Sequence, residues 1–195
     1  MHTGTTVAPC CATTTNGTMR CHSMARSEPT AASTARWSAT SSPNAARIAA
    51  RLALVTRVGD DMFAENTLRN LAAQGIDTTH VRAVPGQSSG VAPIMVDPSG
   101  ENAILIVKGA NEALSPADVD AAAATLRAAD LILLQLEVPL QTVLHSLRRA
   151  AEWGVRTILN PAPATALAAE VLATPGLPGP SFLVPNETEI ALLSG

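Results

Sequence analysis

Residues 131–160 read LILLQLEVPLQTVLHSLRRAAEWGVRTILN, and this stretch decides the fold. LILLQL is a continuous apolar run of the kind found in strands of buried parallel sheets. Leu140, Val143, Leu144 and Leu147 then recur at helical spacing, and Gly154 closes that helix. RTILN is the next strand. A strand, a helix and a second strand in immediate succession form a βαβ unit, so the class is α/β, with a parallel sheet flanked by helices.

Toward the C-terminus the alternation continues. Ala164 to Ala173 reads as a short helix, TPGLPGP as a loop, FLV as a strand, and Glu187 to Ser194 as a helix. Toward the N-terminus, Ser115-Pro116-Ala117-Asp118 starts a helix: Ser is the N-cap, Pro takes the first helical position, and Asp favours the dipole. Before it lie two strand-like runs, GVAPIMVD and NAILIVK, joined by the turn DPSG. A hairpin does not fit a parallel layout, and residues 90–107 are expected to project from the body as a small β lid. Pro93 stands out there, because proline lacks a ladder donor. Phe63 to Gln74 reads as a helix with Gly75 at its C-cap, and AARIAARLALVTRVGDD as a helix end running into a strand. Residues 1–43 are rich in Thr, Ala and Ser without hydrophobic periodicity. They are expected to be a disordered or aberrant segment ahead of the domain over 44–195.

Composition narrows the class. With 47% hydrophobic and 15% charged residues, the chain suits one soluble globular domain with its own core. A formal charge of -3 implies no broad basic surface for nucleic acid. No run of about 18 apolar residues occurs, so no membrane span is expected. The opening MHTGTTVAPCC has no apolar signal-peptide core, and a cytoplasmic location is the expectation. Cys10, Cys11 and Cys21 are odd in number and form no Cys-x-x-Cys pair, which argues against a disulfide framework or a zinc site.

Ligands of open parallel sheets bind beyond the carboxyl ends of the strands. Gly59-Asp60-Asp61 follows LALVTRV, Glu137 follows LILLQL, Asn160 ends RTILN, and Asn186 follows FLVP. Asp60, Asp61 and Asn186 also read as helix caps. Glu137 has a stronger claim, since a carboxylate tucked against Val138-Pro139 is costly to bury without a partner. Other templates fail: there is no G-x-G-x-x-G after a strand, no G-x-x-x-x-G-K-[ST], and no G-x-S-x-G. Periodicity alone gives an α/β domain with a lid and a ligand site, and no reaction.

The motifs supply more. Arg57-Val58-Gly59-Asp60-Asp61 with Phe63, then Ser89-Gly90-Val91-Ala92, Gly100-Glu101-Asn102 and Gly109-Ala110-Asn111, resemble the ribokinase family of carbohydrate kinases in order and spacing. LLQLEVP, LNPAPA and VPNETEIALLSG continue the likeness, which spans about Ala45 to Gly195. The resemblance implies a Rossmann-like body with a β lid. It also implies transfer of the ATP γ-phosphate to a hydroxyl of D-ribose or a related sugar, with Mg²⁺ and a stimulating K⁺. It places Glu137 on a sugar hydroxyl, Ala92 and Ile94 of the lid against the sugar, Asn186 and Glu189 on the nucleotide side, and Glu189 toward the metal. It further implies a homodimer formed through the lid. Rival readings are a kinase for another sugar or nucleoside, and a non-catalytic sugar- or nucleotide-binding module.

The chain also departs from the family. Where the family has Gly-Gly-Lys-Gly-Ala-Asn, this sequence has ARWSATSSPN. The first strand with its sugar-binding aspartate is expected to be missing, and so is the Gly-Ala-Gly-Asp segment that carries the catalytic base. No catalytic residue is assigned within the chain. The expectation is a ribokinase-like domain incomplete at both ends and inactive alone.

Overall fold

The computed structural model describes residues 5–9, 51–100, 102–163 and 175–194. Its centre is a six-stranded sheet built from β1 (Thr5–Pro9), β2 (Arg51–Val58), β3 (Asp77–Ala83), β6 (Leu131–Gln135), β7 (Arg156–Asn160) and β8 (Phe182–Leu183). The spatial order is β3-β2-β1-β6-β7-β8, and all five pairings are parallel. The chain builds outward from β1 to one edge, then returns and builds from β6 to the other. This is the doubly wound order of Rossmann-like sheets, with its switch point between β1 and β6.

β2 shows why the sheet lies inside. Leu52, Ala53, Leu54 and Val55 are all buried, so both faces of this strand are covered. Ala53 and Val55 join Ile132, Leu134 and Leu159 in the larger core. α4 (Leu140–Trp153) packs Val143, Leu147 and Ala150 into it, and α2 (Pro116–Ala121) and α3 (Ala123–Arg127) add Val119 and Leu126. Leu52 and Leu54 pack on the opposite face against Leu71 of α1 (Met62–Ala73) and against Ile76. Leucines as fully buried as Leu54 and Leu147 each stabilise the fold by about 1.5–3 kcal/mol.

The local expectations over residues 115–160 hold. Ser115 precedes α2, and its N–H and hydroxyl both donate to Asp118. Gly154 ends α4 in the left-handed region, at φ 70°. The hairpin is also present, as a separate two-stranded antiparallel sheet of β4 (Ile94–Val96) and β5 (Asn102–Ile104), with a further bridge between Val91 and Val107. Pro93 falls between that bridge and β4. Its carbonyl accepts from the Leu105 N–H at 3.0 Å, while its ring nitrogen returns nothing, so the ladder is interrupted there.

One expectation fails, and one strand was not anticipated. Residues 1–43 were to hold no element, and the first strand was to be missing; instead Thr5–Pro9 is a strand at the centre of the sheet, paired with Arg51–Val55 on one side and with Leu131 and Ile132 on the other. Backbone pairing carries it: Thr6 and Val7 face β6, whereas Pro9 lies beyond that pairing, where its missing N–H costs nothing toward β6. β3 is the unanticipated strand. DTTHVRA has only two apolar side chains, Val81 and Ala83, because the strand lies at the sheet's edge and is largely solvated. The helix expected over Ala164 to Ala173 and the residues before Arg51 lie outside the described residues. Among the described residues, no helix is long and apolar enough to cross a membrane.

Candidate active site

Because every strand of the sheet runs the same way, the groups that follow β2, β6, β7 and β8 share one edge. Asp60 and Asp61, Glu137, Asn160 and Asn186 are thereby brought to the same side of the molecule. The Leu136 N–H donates to the Ala162 carbonyl at 3.0 Å, which ties the segment carrying Glu137 to the NPAP loop. Asn160 turns inward on its own loop, its Oδ1 accepting from the Ala162 N–H at 3.3 Å.

Glu137 stands at the switch point, two residues beyond β6. Its Oε2 is buried and has no hydrogen-bond partner among the described residues. Burial pushes its carboxyl above the ordinary range, and the nearby Lys108 ammonium offsets this only in part. An acceptor held dry and unpaired costs stability unless a ligand hydroxyl satisfies it. Asn111 is a second such group: it is 2% exposed, and its Oδ1 has no partner.

At the other end of the edge, Asn186 precedes α5 (Glu187–Ser194). The Glu189 N–H donates to Asn186 Oδ1 at 2.8 Å, and the Asn186 N–H returns to Glu189 Oε2 at 2.8 Å. Asn186 Nδ2 donates to Glu189 Oε1 at 2.9 Å. This is a capping box, and it accounts for the burial of Glu189. Each carboxylate oxygen accepts one of these bonds. Among the described residues no three His, Cys, Asp or Glu side chains gather as a metal set.

The remaining sequence candidates separate. Asp61 caps α1, its Oδ1 accepting from the Ala64 N–H at 2.9 Å, and Asp60 Oδ2 accepts from the Gly86 N–H at 2.8 Å. Ala92 is buried at the root of the lid, whereas Ile94 is 40% exposed on its shaft. Ala92, Ile94 and Val96 share a hairpin face with Ile104 by register, and Met95 lies on the other. β1 ends in Pro9, and the sequence has no aspartate before Asp60, so the strand that fills the first position carries no carboxylate.

Sequence reasoning missed two participants. Lys108, the charge acting on Glu137, precedes the 3₁₀ turn Gly109–Ala113 and pairs with Glu112 at 2.7 Å. Its position directly before Gly109-Ala110-Asn111 was the available signal. Ser89 lay within a quoted motif, but its partnership with Asp61 across 28 residues has no local signature.

Comparison with known proteins agrees with this geometry. Residues 38–195 match the pfkB family of carbohydrate kinases. The deoxyribokinase of Salmonella typhi is 48% identical over 151 residues, covering 77% of this chain and 48% of the relative. The solved structure of ribokinase from Giardia lamblia superposes with a TM-score of 0.65 at 30% identity, covering 74% of this chain and 47% of that one. Arabidopsis thaliana ribokinase, solved with ribose and ATP, shares the fold at a TM-score of 0.69 and 24% identity, covering 100% of this chain and 64% of that one. The chain spans about half the length of the curated relatives it matches. With the doubly wound sheet, the projecting hairpin and the match over residues 38–195 all in accord, the chain belongs to the pfkB family of carbohydrate kinases.

Proposed function

We propose that this protein serves as an ATP-dependent sugar kinase that phosphorylates a hydroxyl of D-ribose, 2-deoxyribose or a related pentose. The observation that carries the reading is Glu137, a carboxylate at the switch point whose buried Oε2 lacks a partner. A sugar hydroxyl satisfies it, a charge-assisted contact of roughly 1.5–3 kcal/mol. The likeness to a deoxyribokinase and to ribokinases supports a pentose.

In this reading Ala92 and Ile94 line the sugar side of the lid. The Asn186–Glu189 box presents an amide and a carboxylate to the nucleotide side, where the Arabidopsis relative's ATP is the precedent. Mg²⁺ supplies charge neutralisation for the phosphates when bound, and Glu189 holds its water shell. The second face of the hairpin, with Met95 59% and Leu105 57% exposed, pairs with a second copy of the lid. The 195 residues contain no Gly-Ala-Gly-Asp segment, and these residues by themselves are proposed to transfer no phosphate.

The test is a sugar panel. The active enzyme, carrying the complete family sequence, is assayed with ATP and Mg²⁺ on ribose, 2-deoxyribose, fructose and adenosine. A kcat/KM for one of the two pentoses at least tenfold above the rest supports the proposal, and a preference for fructose or adenosine overturns it. The 195-residue polypeptide assayed alongside should match the buffer control.

A further inference from the structure

The root of the lid is bonded to the first helix of the body. The Asp61 carboxylate caps α1 through the Ala64 N–H, and the same group accepts the Ser89 N–H at 2.7 Å on Oδ2 and the Ser89 hydroxyl at 2.7 Å on Oδ1. Ser89 Oγ in turn accepts from the Gly59 N–H at 3.0 Å. Ser89 is 3% exposed and its bond from the Gly59 N–H is buried, so an unmade partner on the serine side is expensive, while Asp61 is half-buried. Burial raises the Asp61 carboxyl, but the bonds from Ser89 and the helix amides outweigh it and hold the group below its ordinary range.

The returning limb of the hairpin reaches the same point. The Ala110 N–H donates to the Ser88 carbonyl at 2.8 Å, and Val91 and Val107 exchange a pair of bonds at 2.9 Å each. Three glycines make the approach possible. A Cβ on Gly59 would fall 2.5 Å from the Gln87 carbonyl oxygen, one on Gly90 2.7 Å from Asn111 Nδ2, and one on Gly109 2.5 Å from the Ser88 carbonyl oxygen. Beyond the root the hairpin is exposed on both faces and touches little of the body, since Ile94, Met95, Val96, Ile104 and Leu105 all face solvent. Its orientation is therefore set where it is rooted.

We propose that Asp61 and Ser89 form the pin of the lid, positioning residues that fix the angle of β4 and β5 to the α/β body. The pin stands on the contacts above; its effect on the substrate rests on the reading of the lid as the sugar's cover.

Asp61→Ser separates the pin from the cap. Serine is as good an N-cap as aspartate, but it has no second oxygen to accept the Ser89 N–H that Asp61 Oδ2 holds, and no charge to strengthen the bond from the Ser89 hydroxyl. Ser89→Ala removes the hydroxyl contacts without touching the cap, and carries the same test if Asp61→Ser fails to fold. In the purified protein, amides of residues 91–107 should exchange about tenfold faster in either variant, while those of β6, α4 and β7 keep their protection. The double variant should be no worse than the worse single one, because both changes break the same contact. In the active enzyme the sugar KM should rise about fivefold or more, with the ATP KM within about twofold. Unchanged lid exchange overturns the pin, and so does an equal loss of protection across the body, which would make the pair a general stabiliser. Faster lid exchange with an unchanged sugar KM upholds the pin and sinks the lid as the sugar's cover.

Discussion

Asn186 and Glu189 satisfy each other through three hydrogen bonds of 2.8–2.9 Å across the first turn of α5. The Asn side chain caps the helix, and the Glu side chain caps the Asn. The three bonds order both side chains without any ligand.

Glu189→Gln tests whether the box has a chemical role. Glutamine keeps one acceptor for the Asn186 N–H and loses the contact with Nδ2, so the stability cost should be about 1 kcal/mol. If Glu189 holds the water shell of Mg²⁺, the Mg²⁺ concentration for half-maximal kcat in the active enzyme should rise several-fold. A fall in thermal midpoint with an unchanged Mg²⁺ profile would leave Glu189 as a helix cap only.

Glu137 should be a residue whose removal stabilises the empty protein and disables the loaded one. Its folded pKa lies above the ordinary 4.5 because burial disfavours the charge. The folded state thus binds the proton more tightly than the unfolded one. Stability from this group falls as pH rises between the unfolded and folded values, and the full penalty is present above the folded value. At neutral pH, Glu137→Gln should therefore stabilise the fold by on the order of 1 kcal/mol and raise the thermal midpoint accordingly. The same change should raise the sugar KM at least about tenfold while leaving the ATP KM nearly alone. In the unaltered enzyme the sugar KM should climb in acid, starting above the ordinary glutamate range. An unchanged sugar KM in the variant removes Glu137 from the sugar site.

The lid's outer face gives a third prediction. Met95 and Leu105 lie on one side of the hairpin, solvent-exposed and apolar. A Met95→Asp, Leu105→Asp double variant should remain folded, since neither side chain is buried. If that face joins two copies, sedimentation should show the unaltered protein as a dimer and the variant as a monomer. Equal masses for both would refute pairing through this face.

What the sequence disclosed follows the physics of burial. β6, α4 and β7 were readable because Ile132, Leu134, Val143, Leu147 and Leu159 are core residues whose spacing repeats the geometry of their elements. β3 was not, because an edge strand with a solvated face needs little apolar patterning. β1 was hidden for another reason: its place rests on backbone pairing with Arg51–Val55, and TTVAP carries no pattern. Of the site, Glu137 was legible as a charge at the end of an apolar run. The bond between Asp61 and Ser89 was not, because it is made by folding the lid's root back onto α1.

The last prediction concerns the frame that holds the motif loop in place. Arg57, in β2 two residues before Gly59-Asp60-Asp61, reaches across to α2 and grips Asp118 in a fork, with Nη2 2.6 Å from Oδ1 and Nε 3.1 Å from Oδ2. Asp118 also accepts the Ser115 N–H at 3.0 Å, so one carboxylate ties the end of β2 to the start of α2. Burial raises the Asp118 carboxyl, but the bonds from Arg57 and Ser115 outweigh it and hold the group below 3.8. A depressed folded pKa contributes stability that is present above the unfolded value and lost as pH falls through the folded one. Asp118→Asn removes the charge and half the fork, leaving Arg57 partly buried without a counter-ion, and should cost about 2 kcal/mol at pH 7. Arg57→Lys should cost a similar amount, because an ammonium cannot span both carboxylate oxygens. The gap in thermal midpoint between Asp118→Asn and the unaltered protein should close as pH drops below the ordinary aspartate range and Asp118 is itself protonated. A gap that stays constant with pH would show that the charge contributes nothing and that shape alone is lost.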